Sequence, residues 1–428
     1  MRSFFALLAL AAISALSCSP ERGKTAMLWT DHPDFAIYAG YFNAAQDQYR
    51  IETRYYDFPA QKLSENGAHP DIVAGSWLKS ASTRAFFRQV DSYFRNGVLE
   101  QNAFYSRLLA MGNIDGRQYL LPVSFNAPMI VFARDRGAQL SNPFTIGFDE
   151  MKELGKRHNV VTNDVYSQMG FSPAWDDDFL FLAATLLNAS FREADSAAEA
   201  ANRRFADSPP DPLAWDSAAL DRAMGFAYDW TCEANSGIQA VDDFTFKYFY
   251  DPPAKLAISG RILFTCMDSD SYFTLAEDQR NNLDFRWLAE SETIPIAERS
   301  VYLGLPKKGK GPKAAEAFLR WFYRADTQRY FLEKSRQNRM AEISFGIGGG
   351  FSAMRPVTEQ VFPQFYPGLL GHMPPEDFLS PANILPSNWM ALKERVILPY
   401  LHDRARQPTS DGLYQLEHRL ADWLRVNR

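Results

Sequence analysis

The sequence predicts an α/β protein with a parallel sheet near its start, and three observations lead to this fold class. The 428 residues are enough for two or three domains with a buried core. Short apolar runs alternate with helical patterns over the first hundred residues, which is typical of parallel sheets. Two further apolar runs flank "PVSFNAP", and no helix fits between them.

The first elements follow from hydrophobic periodicity and flanking residues. "AMLWTD" is expected to be a buried strand, and residues 50–58 and 70–77 are expected to be the next two strands. A helical pattern covers residues 35–49. "SASTRAFFRQVDSYF" is predicted to be another helix, with Ser80 or Ser82 near its cap.

Later segments are mostly helical, with two more strands. Strands are expected at "RILFTCM" and "SVYLGLP". The predicted helices are residues 147–158, 176–189, 214–230, one around "DFTFKYFY", one or two within 312–335, and two in the last 60 residues.

Composition excludes some classes of partner. The net charge is −6, whereas nucleic-acid binders present basic surfaces. The same acidic balance gives no general attraction to anionic lipid. Aromatic residues make up 14% of the chain, which suits a large core and aromatic-lined pockets.

The first 18 residues have the pattern of a signal peptide. Arg2 precedes a 13-residue apolar run at 4–16, which is too short to cross a bilayer. Two cleavage modes fit "ALSCSP": ordinary signal peptidase, or lipoprotein processing in which Cys18 is lipidated. We expect the lipoprotein, with residues 19–25 as a tether. Cys232 and Cys266 then remain, either as a disulfide or as two unpaired thiols.

Motifs for nucleotides, metals and nucleophiles are weak. "GLPKKGKG" has the spacing of a P-loop, but Gly311 stands where Ser or Thr would bind magnesium, and Pro306 removes an amide. The six histidines are scattered, and there is no G-x-S-x-G motif. No metal and no cofactor is predicted. A pair of carboxylates that meet only in space stays open as a catalytic alternative.

Aromatic residues or apolar strand ends beside small polar residues recur at element ends and favour a ligand cleft. "LWTD", "GSW", "VSFN", "CMDS" and "SNW" have this form, and "AWDDDF" adds Trp175 before three aspartates. Asp176 is expected to cap a helix there, while Asp177 is free to reach a ligand. The loop "FGIGGGF" allows close backbone approach, either as a tight loop or facing a ligand.

These segments, in this order, resemble the extracellular solute-binding proteins of ABC importers, in the sugar-binding group that includes maltose-binding protein. The resemblance covers essentially the whole mature chain. The most specific segments are "LPVSFNAPMIVFARD", where "FARD" stands in place of the usual "YNKD", and "SVYLGLPKKGKGPKAAEAF".

The resemblance implies a type II periplasmic-binding-protein-like fold, with two α/β lobes joined by a hinge that the chain crosses several times. The first lobe would contain residues 24–122 and 300–370, and the second would contain 126–298 and 373–428. Hinge segments are expected near 122–126, 298–304 and 370–373.

The resemblance also implies ligand contacts between the lobes. The positions that match the family pattern are Trp29, Asp31, Ser76, Trp77, Ser124, Phe125, Asn126, Trp175, Asp177, Asp268, Ser269, Phe351 and Trp389.

The function implied is capture of a polar solute, expected to be a carbohydrate, for the permease subunits of an ABC transporter. The protein would be a non-enzymatic monomer outside the cytoplasm, on the periplasmic or outer face of the membrane, held through Cys18. Two alternatives are a surface-anchored glycan hydrolase and an adhesive or structural lipoprotein without a small-molecule ligand.

Overall fold

A computed structural model describes residues 23–65, 69–194 and 213–427. Ten strands form two main sheets, one of six strands and one of four. In chain order they are β1 (Thr25–Thr30), β2 (Arg50–Tyr55), β3 (Ile72–Gly75), β4 (Leu120–Phe125), β5 (Pro128–Ala133), β6 (Thr145–Ile146), β7 (Thr265–Asp268), β8 (Leu283–Leu288), β9 (Val301–Gly304) and β10 (Phe351–Ser352).

The six-stranded sheet has the order β10-β4-β9-β3-β1-β2. β1 pairs in parallel with both β2 and β3, which confirms the predicted parallel sheet near the start of the chain. β9 runs antiparallel to β3 and β4. β1, β3, β4 and β9 are almost entirely buried, as expected of strands covered on both faces.

The four-stranded sheet has the order β7-β5-β8-β6. β5 is antiparallel to β7 and β8, and β8 is parallel to β6. Only Asn126 and Ala127 separate β4 in the large sheet from β5 in the small one. The two apolar runs are therefore strands as predicted, but "PVSF" belongs to the first strand and is not a linker.

The longer helices among the described residues match most of the predicted positions. Those of six or more residues are α1 (Asp34–Ala45), α2 (Phe148–His158), α3 (Asp177–Leu186), α4 (Ser217–Asn235), α5 (Ile238–Tyr248), α6 (Pro253–Ile258), α7 (Glu277–Asn282), α8 (Pro312–Phe322), α9 (Ala325–Gln337), α10 (Leu398–Ala405) and α11 (Leu416–Val426).

Shorter helices and two-stranded ribbons lie between these elements. Short helices are Pro59–Lys62, Ala81–Arg84, Asp91–Arg95, Ser106–Ala110, Ser269–Phe273, Phe362–Phe365 and Trp389–Leu392, and π-helical turns are Val357–Val361 and Lys393–Ile397. Two-stranded ribbons pair Asn113–Ile114 with Arg117–Gln118, Val160–Thr162 with Val165–Gln168, Arg192–Glu193 with Leu213–Ala214, and Ile294–Pro295 with Leu379–Ser380.

One predicted helix is wrong. The segment that begins at Ser80 forms two short helices, Ala81–Arg84 and Asp91–Arg95, instead of one long helix. Between them Phe87 forms a β-bridge with Pro306, and the Arg88 amide donates a hydrogen bond of 2.9 Å to the Leu305 carbonyl. Pairing with the chain beyond β9 therefore replaces the helical hydrogen bonds at this point.

The signal-peptide prediction and Cys18 lie outside the described residues. No helix in the described ranges has the length and apolar character needed to cross a bilayer.

Candidate functional site

Asp31 and Ser76 lie side by side because β1 and β3 are parallel and in register. Thr30 of β1 is opposite Ala74 of β3, so the residues that follow meet at the carboxyl edge of the sheet. This edge is where open α/β sheets usually bind ligands. A Cβ on Gly75 would lie 2.7 Å from Oδ1 of Asp31, so glycine is required for this close approach.

The carboxylate of Asp31 is largely removed from solvent, with 16% of its side chain exposed. Burial raises its pKa to about 7, although the nearby backbone amides of Asp31 and Ser76 and the charge of Arg299 act in the opposite direction. Nε2 of His32 lies 3.5 Å from Asp31 Oδ1. Burial, and then the charge of Arg299, lowers the pKa of His32 to about 4, so the imidazole is neutral at pH 7.

Arg299 connects this edge to the segment that enters β9. Its carbonyl accepts a hydrogen bond of 3.1 Å from Ser76 Oγ, and its side chain is exposed. The guanidinium acts electrostatically on Asp31, His32 and Asp270. One exposed cation therefore lies near carboxylates from both sheets.

The small sheet contributes the second group of acids. β7 ends at Asp268, whose side chain accepts a hydrogen bond of 2.7 Å from the Ser271 amide and caps the short helix that follows. Asp270 accepts a hydrogen bond of 3.2 Å from the Phe345 amide. Burial, together with the charges of Asp268 and Asp34, raises the pKa of Asp270 to about 6, although the hydrogen bond from Phe345 and the charge of Arg299 act in the opposite direction.

Asp34, at the start of α1, accepts a hydrogen bond of 2.7 Å from Ser344 Oγ. Burial also raises its pKa. We call Asp31, His32, Asp34, Asp270 and Arg299 the junction cluster, because residues that follow strands of the two different sheets meet there. Carboxylates and a guanidinium in this arrangement can accept and donate hydrogen bonds to hydroxyl groups.

The crossover residues are fixed by contacts within the protein. Ser124 Oγ donates a hydrogen bond of 3.1 Å to the Gly348 carbonyl. Asn126 Nδ2 donates to the Gly349 carbonyl at 2.6 Å. Phe125 is buried, with its ring centroid 5.6 Å from that of Phe351. The glycine-rich loop is thus a tight turn held against the crossover.

Trp175 and the three aspartates form a separate group on the small-sheet side. Asp176 accepts hydrogen bonds from the amides of Asp178 and Phe179, which confirms the predicted helix cap. Asp177 Oδ1 lies 2.9 Å from Nδ1 of His402. The partly buried Trp175 ring stacks on Phe244 at 5.7 Å, so one of its faces is in contact with protein.

The remaining predicted aromatic residues are buried in this conformation. Trp29 is 5% exposed and meets Tyr56 edge-on at 4.8 Å. Phe351 and Trp389 have no exposed surface. Trp77 has a positive φ of 64° and packs in one hydrophobic cluster with Trp389, Phe181 and residues of α3, α4, α10 and α11. In this conformation Trp77 therefore ties the end of β3 to the other half of the molecule.

The structure brings Asp31, Ser76, Ser124, Asn126, Asp268 and Ser269 to the junction between the sheets. It places Trp175 with Asp177, and Trp77 with Trp389, in two other groups. Sequence reasoning did not identify His32, Asp34, Asp270 or Arg299. The clustering of "DHPD" directly after β1 and of "DSDS" after β7 was the available signal for the acids.

Cys232, on α4, and Cys266, on β7, are both free thiols. Of the two alternatives that the sequence left open, the structure has the unpaired one, and burial raises the pKa of the Cys266 thiol. Across residues 23–65, 69–194 and 213–427, no group of three or more His, Cys, Asp or Glu side chains could hold a metal ion.

Comparison with known proteins gives similarity in structure only, since no family model and no curated sequence matches. An ABC substrate-binding protein from Listeria monocytogenes in complex with cycloalternan superposes with a TM-score of 0.58 and 11% identity, over 94% of this chain and 98% of that chain. A cyclic alpha-maltosyl-1,6-maltose binding protein from Arthrobacter globiformis superposes with a TM-score of 0.56 and 16% identity, over 94% of this chain and 98% of that chain. Maltose-bound MalE3 of T. maritima superposes with a TM-score of 0.56 and 12% identity, over 94% of this chain and 100% of that chain.

Each of these matches spans nearly the whole of both chains. The chain is a mixed α/β protein with the type II periplasmic-binding-protein-like fold, as the sequence predicted.

Proposed function

We propose that this protein is the substrate-binding lipoprotein of an ABC transporter, which captures a carbohydrate between two lobes and delivers it to the permease. The observation that carries the proposal is the junction cluster, in which carboxyl groups that follow strands of both sheets lie within electrostatic range of the exposed Arg299 guanidinium. The fold is shared with an ABC substrate-binding protein in complex with cycloalternan, a cyclic alpha-maltosyl-1,6-maltose binding protein and a maltose-bound MalE3, which supports the same conclusion.

The lobes in this proposal are residues 24–122 with 300–370, and 126–298 with 373–428. Hinge segments lie near 122–126, 298–304 and 370–373. Ligand contacts that are available only when the lobes meet would stabilise the closed form. The protein performs no chemistry, acts as a monomer, and is held outside the cytoplasm by lipid on Cys18.

The chemistry of the junction cluster favours a polyhydroxylated ligand without negative charge. Asp31, Asp34 and Asp270 of the cluster, and Asp268 beside it, present carboxyl oxygens that accept hydrogen bonds from hydroxyl groups, and Arg299 donates them. An anionic ligand would meet four carboxyl groups and one guanidinium, which disfavours it by electrostatic repulsion.

Isothermal titration against a panel of neutral mono- and oligosaccharides tests the proposal. Preferred candidates are compounds that mass spectrometry identifies in protein purified without added ligand. We expect one class of sugar to bind, and we expect Arg299→Met and Asp270→Asn each to weaken binding at least tenfold. Arg324→Met, at an exposed arginine on the surface of α8 and α9, is the matched control and should bind normally.

The same samples should be incubated with the bound sugar and analysed for shorter products. Binding without product formation supports a receptor. Release of product, abolished by Asp270→Asn, would overturn the proposal in favour of a glycan hydrolase. Absence of binding to all sugars and to purified metabolite pools would favour the adhesive or structural alternative.

A further inference from the structure

A loop rich in lysine lies against the amino ends of the parallel strands of the large sheet. This loop, residues 307–311, joins β9 to α8. The Gly311 amide donates a hydrogen bond to Asp71 Oδ1, and a Cβ on Gly311 would lie 2.3 Å from the Thr25 carbonyl. The segment with P-loop spacing therefore lies at the edge of the sheet opposite to Asp31 and Ser76.

Four lysines are concentrated here within seven residues: Lys307, Lys308, Lys310 and Lys313. All four side chains are exposed. None forms an ion pair in the described part of the chain, and Lys308 has only a contact of 3.5 Å to His69 Nε2. Their charges are therefore available to a partner.

A groove beside these lysines adds aromatic surface and two arginines. It has a volume of about 430 Å³ and lies between α1 and α8. Phe42, Tyr49 and the partly exposed Trp321 form its apolar wall, and Lys313, Arg320 and Arg324 lie around it.

Few acidic groups offset this charge. Glu316 lies in the groove and pairs with Arg320 at 3.5 Å, Asp71 is buried beneath the lysine loop, and Asp47 is in the loop that adjoins the groove. We call the four lysines and this groove the basic face. Its sign is opposite to the net charge of −6 of the whole chain.

The described chain begins next to the basic face. The Arg50 amide donates a hydrogen bond of 2.8 Å to the Lys24 carbonyl at the start of the large sheet. Gly23 is five residues after Cys18, and five extended residues span at most about 18 Å. Lipid on Cys18 would therefore hold this end of the molecule close to the membrane, within about two Debye lengths at physiological salt.

We propose that the basic face docks on an anionic phospholipid surface, so that the anchored protein rests with the amino edge of its large sheet against the membrane. The proposal rests on the lipid anchor in the proposed function. Exposed lysines and arginines are attracted to anionic headgroups, and an amphipathic tryptophan beside them suits the interfacial region. The junction cluster faces away from the lipid in this resting orientation, so delivery to the permease requires the basic face to leave the membrane first.

Site-resolved lysine acetylation tests the proposal on the full protein purified from membranes. The protein is reconstituted in vesicles of phosphatidylcholine alone or with 30% phosphatidylglycerol, and mass spectrometry measures the rate at each lysine. We expect acetylation of Lys307, Lys308, Lys310 and Lys313 to be at least threefold slower on the anionic vesicles, and 1 M salt to remove the difference. Lys247 and Lys255, on the small-sheet side, should react equally on both.

Charge-reversal variants separate specific docking from general crowding at the surface. A double variant, Lys307→Glu with Lys310→Glu, should abolish the protection of the two remaining lysines, Lys308 and Lys313. The control double variant, Lys156→Glu with Lys247→Glu, makes the same change in charge on the other half of the molecule and should leave that protection intact. Equal acetylation on the two vesicle types, or equal protection of Lys255, overturns the proposal. The mass of the purified protein establishes separately whether Cys18 carries lipid, and sugar binding is measured independently.

Discussion

Ser269 Oγ donates a hydrogen bond of 2.5 Å to Oδ1 of Asn126, and this contact fixes the junction between the two sheets. Asn126 lies between β4 and β5, and Ser269 lies directly after β7. The other end of the same amide donates to the Gly349 carbonyl at 2.6 Å. One side chain therefore joins the crossover, the small sheet and the glycine-rich loop.

Asn126→Ala is expected to destabilise the protein. The change removes both hydrogen bonds and leaves the fully buried Ser269 hydroxyl without this acceptor. We expect the free energy of unfolding to fall by about 1 to 3 kcal/mol, as when a buried polar group loses its partner. Urea denaturation followed by circular dichroism measures this. Asn102→Ala, at an exposed position, is the control and should change it by less than about 0.5 kcal/mol.

Trp77→Ala is expected to loosen the contact between the two halves. The backbone of Trp77 has a φ of 64°, which residues other than glycine rarely adopt. This strained conformation persists only where surrounding contacts hold the residue in place. Those surroundings are the cluster around Trp389 and Phe181. Truncation should lower the free energy of unfolding by about 3 kcal/mol. It should also raise the radius of gyration of the ligand-free protein in small-angle X-ray scattering.

Trp215→Ala is the matched control for Trp77. Trp215 packs against the same cluster but precedes α4, on the small-sheet side. Its loss should reduce stability without changing the radius of gyration. If both variants leave the dimensions unchanged, Trp77 is a packing residue and does not hold the two halves together.

The sequence predicted features that depend on nearby residues and missed those that depend on distant ones. The cap at Asp176 follows from three adjacent residues, and the strands β1 to β3 follow from local periodicity. Burial of Trp389 and Phe351 depends on side chains far away in the chain, which no local pattern specifies. Arg299 was missed for the same reason, because its neighbours Asp31 and Asp270 are brought to it only by the fold.

Lys393→Met is expected to destabilise the protein because the lysine pairs with two carboxylates. Lys393 Nζ lies 2.8 Å from Asp178 Oδ1 and 3.0 Å from Glu298 Oε1, with 13% of the lysine side chain exposed. Removing the cation leaves the buried Glu298 carboxylate uncompensated. We expect a loss of about 2 kcal/mol, less than for a fully buried pair because Asp178 is 68% exposed.

The comparison for Lys393 is an exposed ion pair of the same type. Lys62 pairs with Glu65 while both side chains are well exposed, so Lys62→Met should leave the free energy of unfolding almost unchanged. Chemical denaturation of both variants at pH 7 tests the difference. Equal effects would mean that burial does not strengthen the Lys393 network.

Asp31 is expected to make the protein less stable as the pH rises. Burial raises its folded-state pKa to about 7, above the ordinary value of 3.8. Between these values the folded state binds more protons than the unfolded state, so stability falls with increasing pH and the loss is complete above pH 7. His32 acts in the opposite direction, because burial and Arg299 lower its pKa to about 4, and its contribution rises between pH 4 and 6.5.

A comparison of the wild type with Asp31→Asn isolates the carboxyl group, since His32 is present in both proteins. The asparagine cannot ionise, so the variant should gain stability relative to the wild type by about 1 to 3 kcal/mol between pH 5 and pH 8. Urea unfolding at half-unit steps of pH provides the measurement in the absence of sugar. Asp326→Asn, at an exposed position on α9, serves as the control and should follow the wild type. Parallel curves for Asp31→Asn and the wild type would show that the Asp31 carboxylate stays ionised in the folded protein, and that solvent or a counter-ion reaches the junction cluster.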